Sequence, residues 1–174
     1  ETMLKDFQTE KPTTIRRCRS RITTEQLKKR LEEEHVLVEN HPYLKDALLI
    51  SKYDYLESLE TFREGLFVVQ DISSMLVGEL AHVQAGAQVI DLCAAPGGKA
   101  LDVAERILME GQAGCSGHVE ARDLTEYKVS LIEENIERMG LCNVTAVCQD
   151  ASVYDEKSAG KADIVIADLP CSGL

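Results

Sequence analysis

Asp91-Leu92-Cys93-Ala94-Ala95-Pro96-Gly97-Gly98-Lys99 is the stretch that decides the fold. The apolar pair Val89-Ile90 leads into it, and a helical pattern over 100–109 follows. A strand that turns through two glycines into a helix presents bare backbone to a ligand, because Gly97 and Gly98 carry no Cβ. The helix opening there offers free N–H groups and the positive end of its dipole, which suits a carboxylate or a phosphate. Neither the dinucleotide fingerprint nor the P-loop spacing is present, so this is a nucleotide-handling loop of another kind.

Downstream of the loop, strands and helices alternate. Strand patterns cover 89–92, 118–123, 144–148 and 162–167, with helical patterns over 100–109 and 126–139. Val129, Ile132, Ile136 and Met139 form one stripe at helical spacing, and Gly140 stands at the cap. Such alternation implies an α/β fold whose parallel sheet is covered on both faces. Upstream, Pro12-Thr13-Thr14-Ile15-Arg16 opens an extended segment. Thr23-Thr24-Glu25-Gln26 matches a capping box, predicting a helix to about residue 34 that buries Leu27 and Leu31. Short strands are expected at 36–38, 47–50 and 66–70, and Asp71 is placed to cap a helix. The expected organisation is a small α+β unit over 1–60 and the start of a Rossmann-like domain over 61–174.

Each strand pattern of that domain ends at or near an aspartate: Asp91, Asp123, Asp150 and Asp168. Ligands of open α/β sheets sit beyond the carboxyl ends of the strands, so four carboxylates along one rim point to a binding site. A single one would be an ordinary turn residue.

Bulk properties narrow the class. The chain has 174 residues, 44% of them hydrophobic, as in an ordinary globular protein. No apolar run approaches the roughly 20 residues of a membrane span, and no secretory leader opens the chain, so a cytoplasmic protein is expected. Six cysteines are scattered without CxxC spacing, which points to reduced thiols and to neither zinc nor any other bound metal. The net charge of −11 argues against nucleic acid over the whole surface. Locally, however, Arg16, Arg17, Arg19 and Arg21 cluster. Arg17, Arg19 and Arg21 would share one face of a strand and contact RNA phosphates. The chain starts at Glu1 and stops at Cys171-Ser172-Gly173-Leu174, just after a strand-like run, so both ends read as cut.

The Asp91–Lys99 stretch closely resembles motif I of the S-adenosylmethionine (SAM)-dependent RNA cytosine-C5 methyltransferases of the Sun/Fmu type. Asp168-Leu169-Pro170-Cys171-Ser172-Gly173 resembles motif IV of the same family, usually Asp-Ala-Pro-Cys-Ser. Pro12-Thr13-Thr14-Ile15-Arg16 and Gln70-Asp71-Ile72-Ser73-Ser74 look like its entry segments, so the likeness covers nearly the whole chain. The resemblance implies a class I methyltransferase core, complete through strand four, behind a small RNA-binding subdomain. It implies SAM contacts from Cys93, Ala94, Ala95, Pro96, Gly97, Gly98, Lys99, Asp123, Asp150 and Asp168. Asp123 is expected on the ribose diol and Asp150 near the adenine, with Lys99 paired to a carboxylate.

The substrate implied is cytosine in RNA, as in the bacterial enzymes that act on small-subunit ribosomal RNA. Cytosine C5 attacks a methyl donor poorly. A thiolate added at C6 makes C5 enamine-like, and loss of the C5 proton with elimination of the thiolate restores the ring. The family uses two cysteines. Its nucleophile lies in a later Thr-Cys segment, and the motif IV cysteine, here Cys171, is linked to product release. Asp168 is expected at the amine or N3 side of a base that has left its stack. Two readings remain open for this chain: part of a methyltransferase, or a SAM- and RNA-binding module without turnover.

Overall fold

The computed structural model describes residues 12–111 and 117–169. Two four-stranded sheets organise them. The first is antiparallel, in the order β2-β3-β1-β4, from β1 (Thr13–Arg17), β2 (Leu37–Asn40), β3 (Ala47–Ser51) and β4 (Phe67–Val69). Helix α1 (Thr24–Glu33) lies on it through Leu27 and Leu31, which join Ile15, Leu48, Ile50 and Phe67 in one core. The capping box forms as expected. Gln26 N–H donates to the Thr23 hydroxyl at 3.2 Å, and Thr23 N–H to the Gln26 side chain at 3.1 Å. The connector to β4 holds a one-turn helix, α2 (Glu60–Arg63), absent from the sequence reading. β4 pairs with β1 through Ile15↔Val69 and Arg17↔Phe67. The sheets therefore divide the chain after Val69, about nine residues beyond the boundary drawn at 60/61.

Asp71 then caps α3 (Ile72–Leu80), accepting from Ser74 N–H at 3.0 Å. The second sheet is parallel, in the order β7-β6-β5-β8, from β5 (Gln88–Asp91), β6 (His118–Asp123), β7 (Val144–Cys148) and β8 (Ile164–Ile166). Helices α4 (Gly98–Glu110) and α5 (Glu126–Met139) make the crossovers from β5 to β6 and from β6 to β7. Val89, Val119, Ala121 and Ile166 pack with Leu101, Ala104, Ile107 and Ile132 of the two helices. The opposite face is where expectation and structure part. The connection from β7 to β8 holds only a 3-10 turn (Glu156–Ser158), so the two α-helical crossovers cover a single face. On the other face Ile90, Arg122 and Val165 meet the irregular segment 149–162, and Val165 stays more than half exposed. Among the described residues no helix is long and apolar enough to cross a membrane.

Buried charge joins the two sheets. Arg16, on β1, has no exposed surface. Its guanidinium donates to Glu105 of α4 and to the Gln70 side-chain carbonyl at 2.7 Å, with Asp102 at 3.6 Å. Arg19 bridges Asp46 and Asp102, and Arg106 bridges Asp102 (3.2 Å) and Glu79 (2.7 Å). Asp102 and Glu105 are three residues apart and so share a helix face, which explains two buried acids inside an apolar helix. A second joint forms at α5. There Arg138 donates to the carbonyls of Phe62 and Phe67, both at 3.0 Å, and lies over the Phe62 ring. Gly65, with φ +68°, sits so close to the Arg138 carbonyl that a Cβ has no room.

Candidate functional site

The parallel order brings the strand-end carboxylates to one rim, as the alternation implied. Along it stand Asp150 after β7, Asp123 ending β6, Asp91 ending β5 and Asp168 after β8. The Cys93–Lys99 loop crosses this rim. Its backbone is set by Gly97, whose φ of +113° suits glycine and whose missing Cβ makes room for Leu101. The Ala95–Pro96 bond is cis. No side chain caps α4, which begins where Gly97 ends, whereas α1, α3 and α5 are capped by Thr23, Asp71 and Thr125. The first N–H groups of α4 thus remain available to a ligand.

A cavity of about 190 Å³ opens beside the loop, lined by Gln70, Asp71, Ser74, Asp91, Cys93 to Pro96, Gly98, Lys99 and Asp168. Lys99 Nζ lies 2.6 Å from Asp168 Oδ2 and donates to the Ser74 hydroxyl at 3.2 Å. Ser74 in turn donates to Asp71 at 2.9 Å, so the α3 cap also orients the lysine. Asp91 is almost fully buried; its Oδ1 accepts from Cys93 N–H at 3.3 Å, and its Oδ2 has no partner among the described residues. Burial pushes its carboxyl up to about 6, against the N–H of Cys93 and the charge of Lys99.

Asp123 stands on the other side of the loop. It accepts from Ala95 N–H (3.0 Å) and Leu124 N–H (2.8 Å) and pairs with Lys128 at 3.1 Å. Burial opposes its charge, but the Leu124 and Ala95 N–H groups and Lys128 together hold its carboxyl below the usual range. Lys128 was not singled out from the sequence; its position five residues after a strand-end aspartate, in the first turn of α5, was the available signal. Gln70 was also missed as a site residue, because a lone glutamine at a strand end carries no pattern. Asp150 is exposed and accepts from the backbone N–H and hydroxyl of Ser152, both within 2.8 Å, which lower its carboxyl. Burial, with Asp123 and Asp91 nearby, raises the Cys93 thiol. Cys18 is a packing residue, its thiol pushed up to about 11 by burial and by Glu105. Cys171 lies outside the described residues.

The arginine cluster is placed differently from its expectation. β1 ends at Arg17, so Arg17, Arg19 and Arg21 share no strand face. Arg16 is buried against Glu105 and cannot meet an RNA phosphate. Arg17 and Arg19 both hold Asp46, at 2.7 and 2.5 Å, and Arg21 donates to the carbonyls of Glu64 and Arg138 while remaining exposed. Alternation along the segment could not reveal α4, which lies far away in sequence and supplies the acids.

A parallel sheet in this order, with a glycine loop after its first strand and a carboxylate ending the neighbouring one, is the Rossmann-like core of class I SAM-dependent methyltransferases. Over residues 79–174 the chain matches the model of the family described as 16S rRNA methyltransferase RsmB/F. It belongs to that family. It is 35% identical over 142 residues to the probable ribosomal RNA small subunit methyltransferase B of Bacillus subtilis (strain 168), covering 81% of this chain and 30% of the relative. The ribosomal RNA small subunit methyltransferase B of Yersinia pseudotuberculosis is 32% identical, covering 82% and 32%. The chain thus spans about a third of the length of these relatives. Among solved structures, NSun6 from Pyrococcus horikoshii superposes with a TM-score of 0.79 at 20% identity, over 92% of this chain and 63% of that one. A methyltransferase homologue from the same organism gives 0.70 at 24% identity, over 84% and 47%.

Proposed function

We propose that this chain carries the cofactor half of an enzyme that transfers a methyl group from SAM to C5 of a cytosine in small-subunit ribosomal RNA, through a cysteine-thiolate adduct on the base. The observation that carries the reading is the cluster of Asp91, Lys99 and Asp168 around a glycine loop at the ends of β5 and β8. Family membership supports it. The residues present fit the cofactor. A buried carboxylate oxygen without a partner calls for a cationic or N–H group, and the uncapped start of α4 calls for an anionic one. SAM, when bound, supplies an activated methyl group on a sulfonium.

The chain's own residues then divide the work. Asp123 holds the ribose diol; its Oδ2 accepts one N–H, from Ala95, and has a lone pair remaining, while its Oδ1 is shared by Leu124 N–H and Lys128. Lys99 fixes Asp168 through their ion pair, so that its carboxylate can accept from the exocyclic amine of cytosine. The cysteine that adds to the base must be held in a site that favours thiolate over a thiol of ordinary pKa ~8.5. Asp150 borders the adenine. With Arg16 committed to the core, RNA contact by the first sheet falls on Arg21 and on Lys28, Lys29 and Lys45. These lysines line a surface hollow of about 850 Å³ with His41 and Tyr43. A ribosomal RNA substrate supports a cytoplasmic location.

Titrating SAM calorimetrically into this chain and its Asp123→Ala variant tests the cofactor assignment. The variant should lose about 1–3 kcal/mol of binding, as expected for one charge-assisted hydrogen-bonding group. An unchanged affinity removes the ribose role of Asp123, and no binding by the folded wild type removes the cofactor reading.

A further inference from the structure

We propose that the cleft beside Val69 and Pro96, between the first sheet and α5, is a subsite for an unpaired nucleotide next to the target cytosine in the RNA, with the base against its apolar wall and the phosphate on Arg138. The inference rests on the RNA methyltransferase reading and assigns the residues that meet one neighbour of the target.

The cleft has a volume of about 180 Å³. Leu56, Phe62, Val69 and Pro96 give it an apolar wall, and Asn135 and Arg138 of α5 give it a polar one. Val69 is 46% exposed and Pro96 is exposed as well, so the cleft is open to a ligand. It shares Val69, Pro96 and Gly98 with the cavity of Lys99 and Asp168, so the occupants of the two lie side by side. Its volume falls below the roughly 300 Å³ of a complete small-molecule pocket and suits one ring system.

Charge selects the occupant. Arg16, Arg19 and Arg106 face carboxylates, whereas Arg138 has none within ion-pair distance among the described residues. Its Nη1 donates to the carbonyls of Phe62 and Phe67, and its Nη2 to Asn135 Oδ1 at 2.8 Å. A guanidinium has five N–H groups, so the one on Nε and the second on Nη2 remain. Arg138 is only partly buried, and Nε is not among the side-chain atoms closed off without a partner. Burial lowers its pKa and no carboxylate offsets the loss, as for a cation short of a counter-charge. Arg21, exposed and also without an acidic partner among the described residues, lies 3.1 Å from the Arg138 carbonyl oxygen. In a chain of net charge −11, two such cations beside an apolar slot favour a ligand with a flat ring and a negative charge. A nucleotide of single-stranded RNA has both. The Asn135 amide donates to the carbonyls of Pro96 and Leu131, both at 3.0 Å, which turns Oδ1 toward Arg138. That oxygen keeps a lone pair for an N–H of the base.

The test measures, by fluorescence anisotropy, binding of a short single-stranded RNA with one central cytosine. Beside it stand two copies of that RNA with an abasic nucleotide immediately 5′ or 3′ of the cytosine. The proteins are the wild type, Val69→Glu and Arg138→Gln, with urea midpoints recorded for each. To the wild type, one of the two abasic RNAs should bind roughly fivefold or more weakly than the intact RNA, as for the loss of one stacked base. Val69→Glu, at an exposed position, puts a carboxylate into the cleft. It should weaken the intact RNA and bind intact and abasic RNAs alike. Arg138→Gln should flatten the slope of log affinity against log salt by about 0.7, the share of one single-strand phosphate. A wild type indifferent to both abasic RNAs leaves the cleft to another occupant and overturns the assignment. An abasic penalty that Val69→Glu retains in full puts the base elsewhere and overturns it too. An unchanged salt slope removes the phosphate from Arg138. If Arg138→Gln does not fold, Val69→Glu with the abasic RNAs still decides. A folded wild type that binds no RNA overturns the RNA reading on which the inference rests.

Discussion

The two sheets use charge in opposite ways. In the parallel sheet, charged groups stand at the strand ends around a cavity, and Asp91 keeps an oxygen without a partner. In the antiparallel sheet, the arginines of β1 and its following turn are turned inward and paired with acids of α4 and with Asp46. The first arrangement puts its open valence on a residue that lines a cavity; the second commits most of its valences to ion pairs, leaving Arg16 Nη2 and Asp102 Oδ2 buried without a partner among the described residues. Clustered charge in a sequence is therefore ambiguous until its partners are known. A charge held at a strand end stays available, whereas a charge on a face depends on what packs against it.

Breaking the buried pair gives the largest expected effect. Arg16→Ala leaves Glu105 buried without its main counter-charge and should destabilise the chain by about 3–5 kcal/mol in urea denaturation. A loss below 1 kcal/mol would mean that Arg16 behaves as a surface residue and that the contrast between the sheets fails.

The ligand side of the comparison is sharpened by pH. Asp91 carries a carboxyl pushed up to about 6, and it must be ionised to hold an ammonium group. SAM affinity should therefore fall as pH drops through 6, approaching about tenfold per pH unit, or ~1.4 kcal/mol at pH 5. Without ligand the sign is reversed. The folded carboxyl keeps its proton longer than the unfolded one, so stability declines as pH rises from the ordinary 3.8 towards 6. Calorimetry between pH 5 and 7, with urea midpoints on the free chain, reads both trends. A flat binding profile would detach Asp91 from the ligand.

The smallest effect falls on the joint between the regions. Asp71→Ala removes the α3 cap and the support of Ser74 and should destabilise by about 1 kcal/mol. It should also loosen the Lys99–Asp168 pair, read as altered Lys99 side-chain NMR shifts. Unchanged shifts would show that the lysine is held by Asp168 alone.

Much of this was legible from local pattern. Thr23 and Gln26, Asp71 and Gly140 mark helix ends through contacts within a few residues, so their roles could be read without a fold. The rim of aspartates followed from strand–helix alternation, because parallel strands must all end on one side. The lack of an α-helix on the second face of the parallel sheet was not legible: the 149–163 stretch does not announce that it forms no covering helix. Nor was the pairing of β4 with β1, since a strand of three residues carries no mark of which sheet it joins.

By itself the sequence determined what depends on neighbours along the chain: the glycine loop, the helix caps, the alternation and hence the carboxylate rim. Only the tertiary structure decided the fate of Arg16, the direction of the Gln70 amide and the isolation of Asp91 Oδ2. Each of these depends on a partner, or the lack of one, tens of residues away. Burial turns such a meeting of charges from a weak surface contact into a strong constraint.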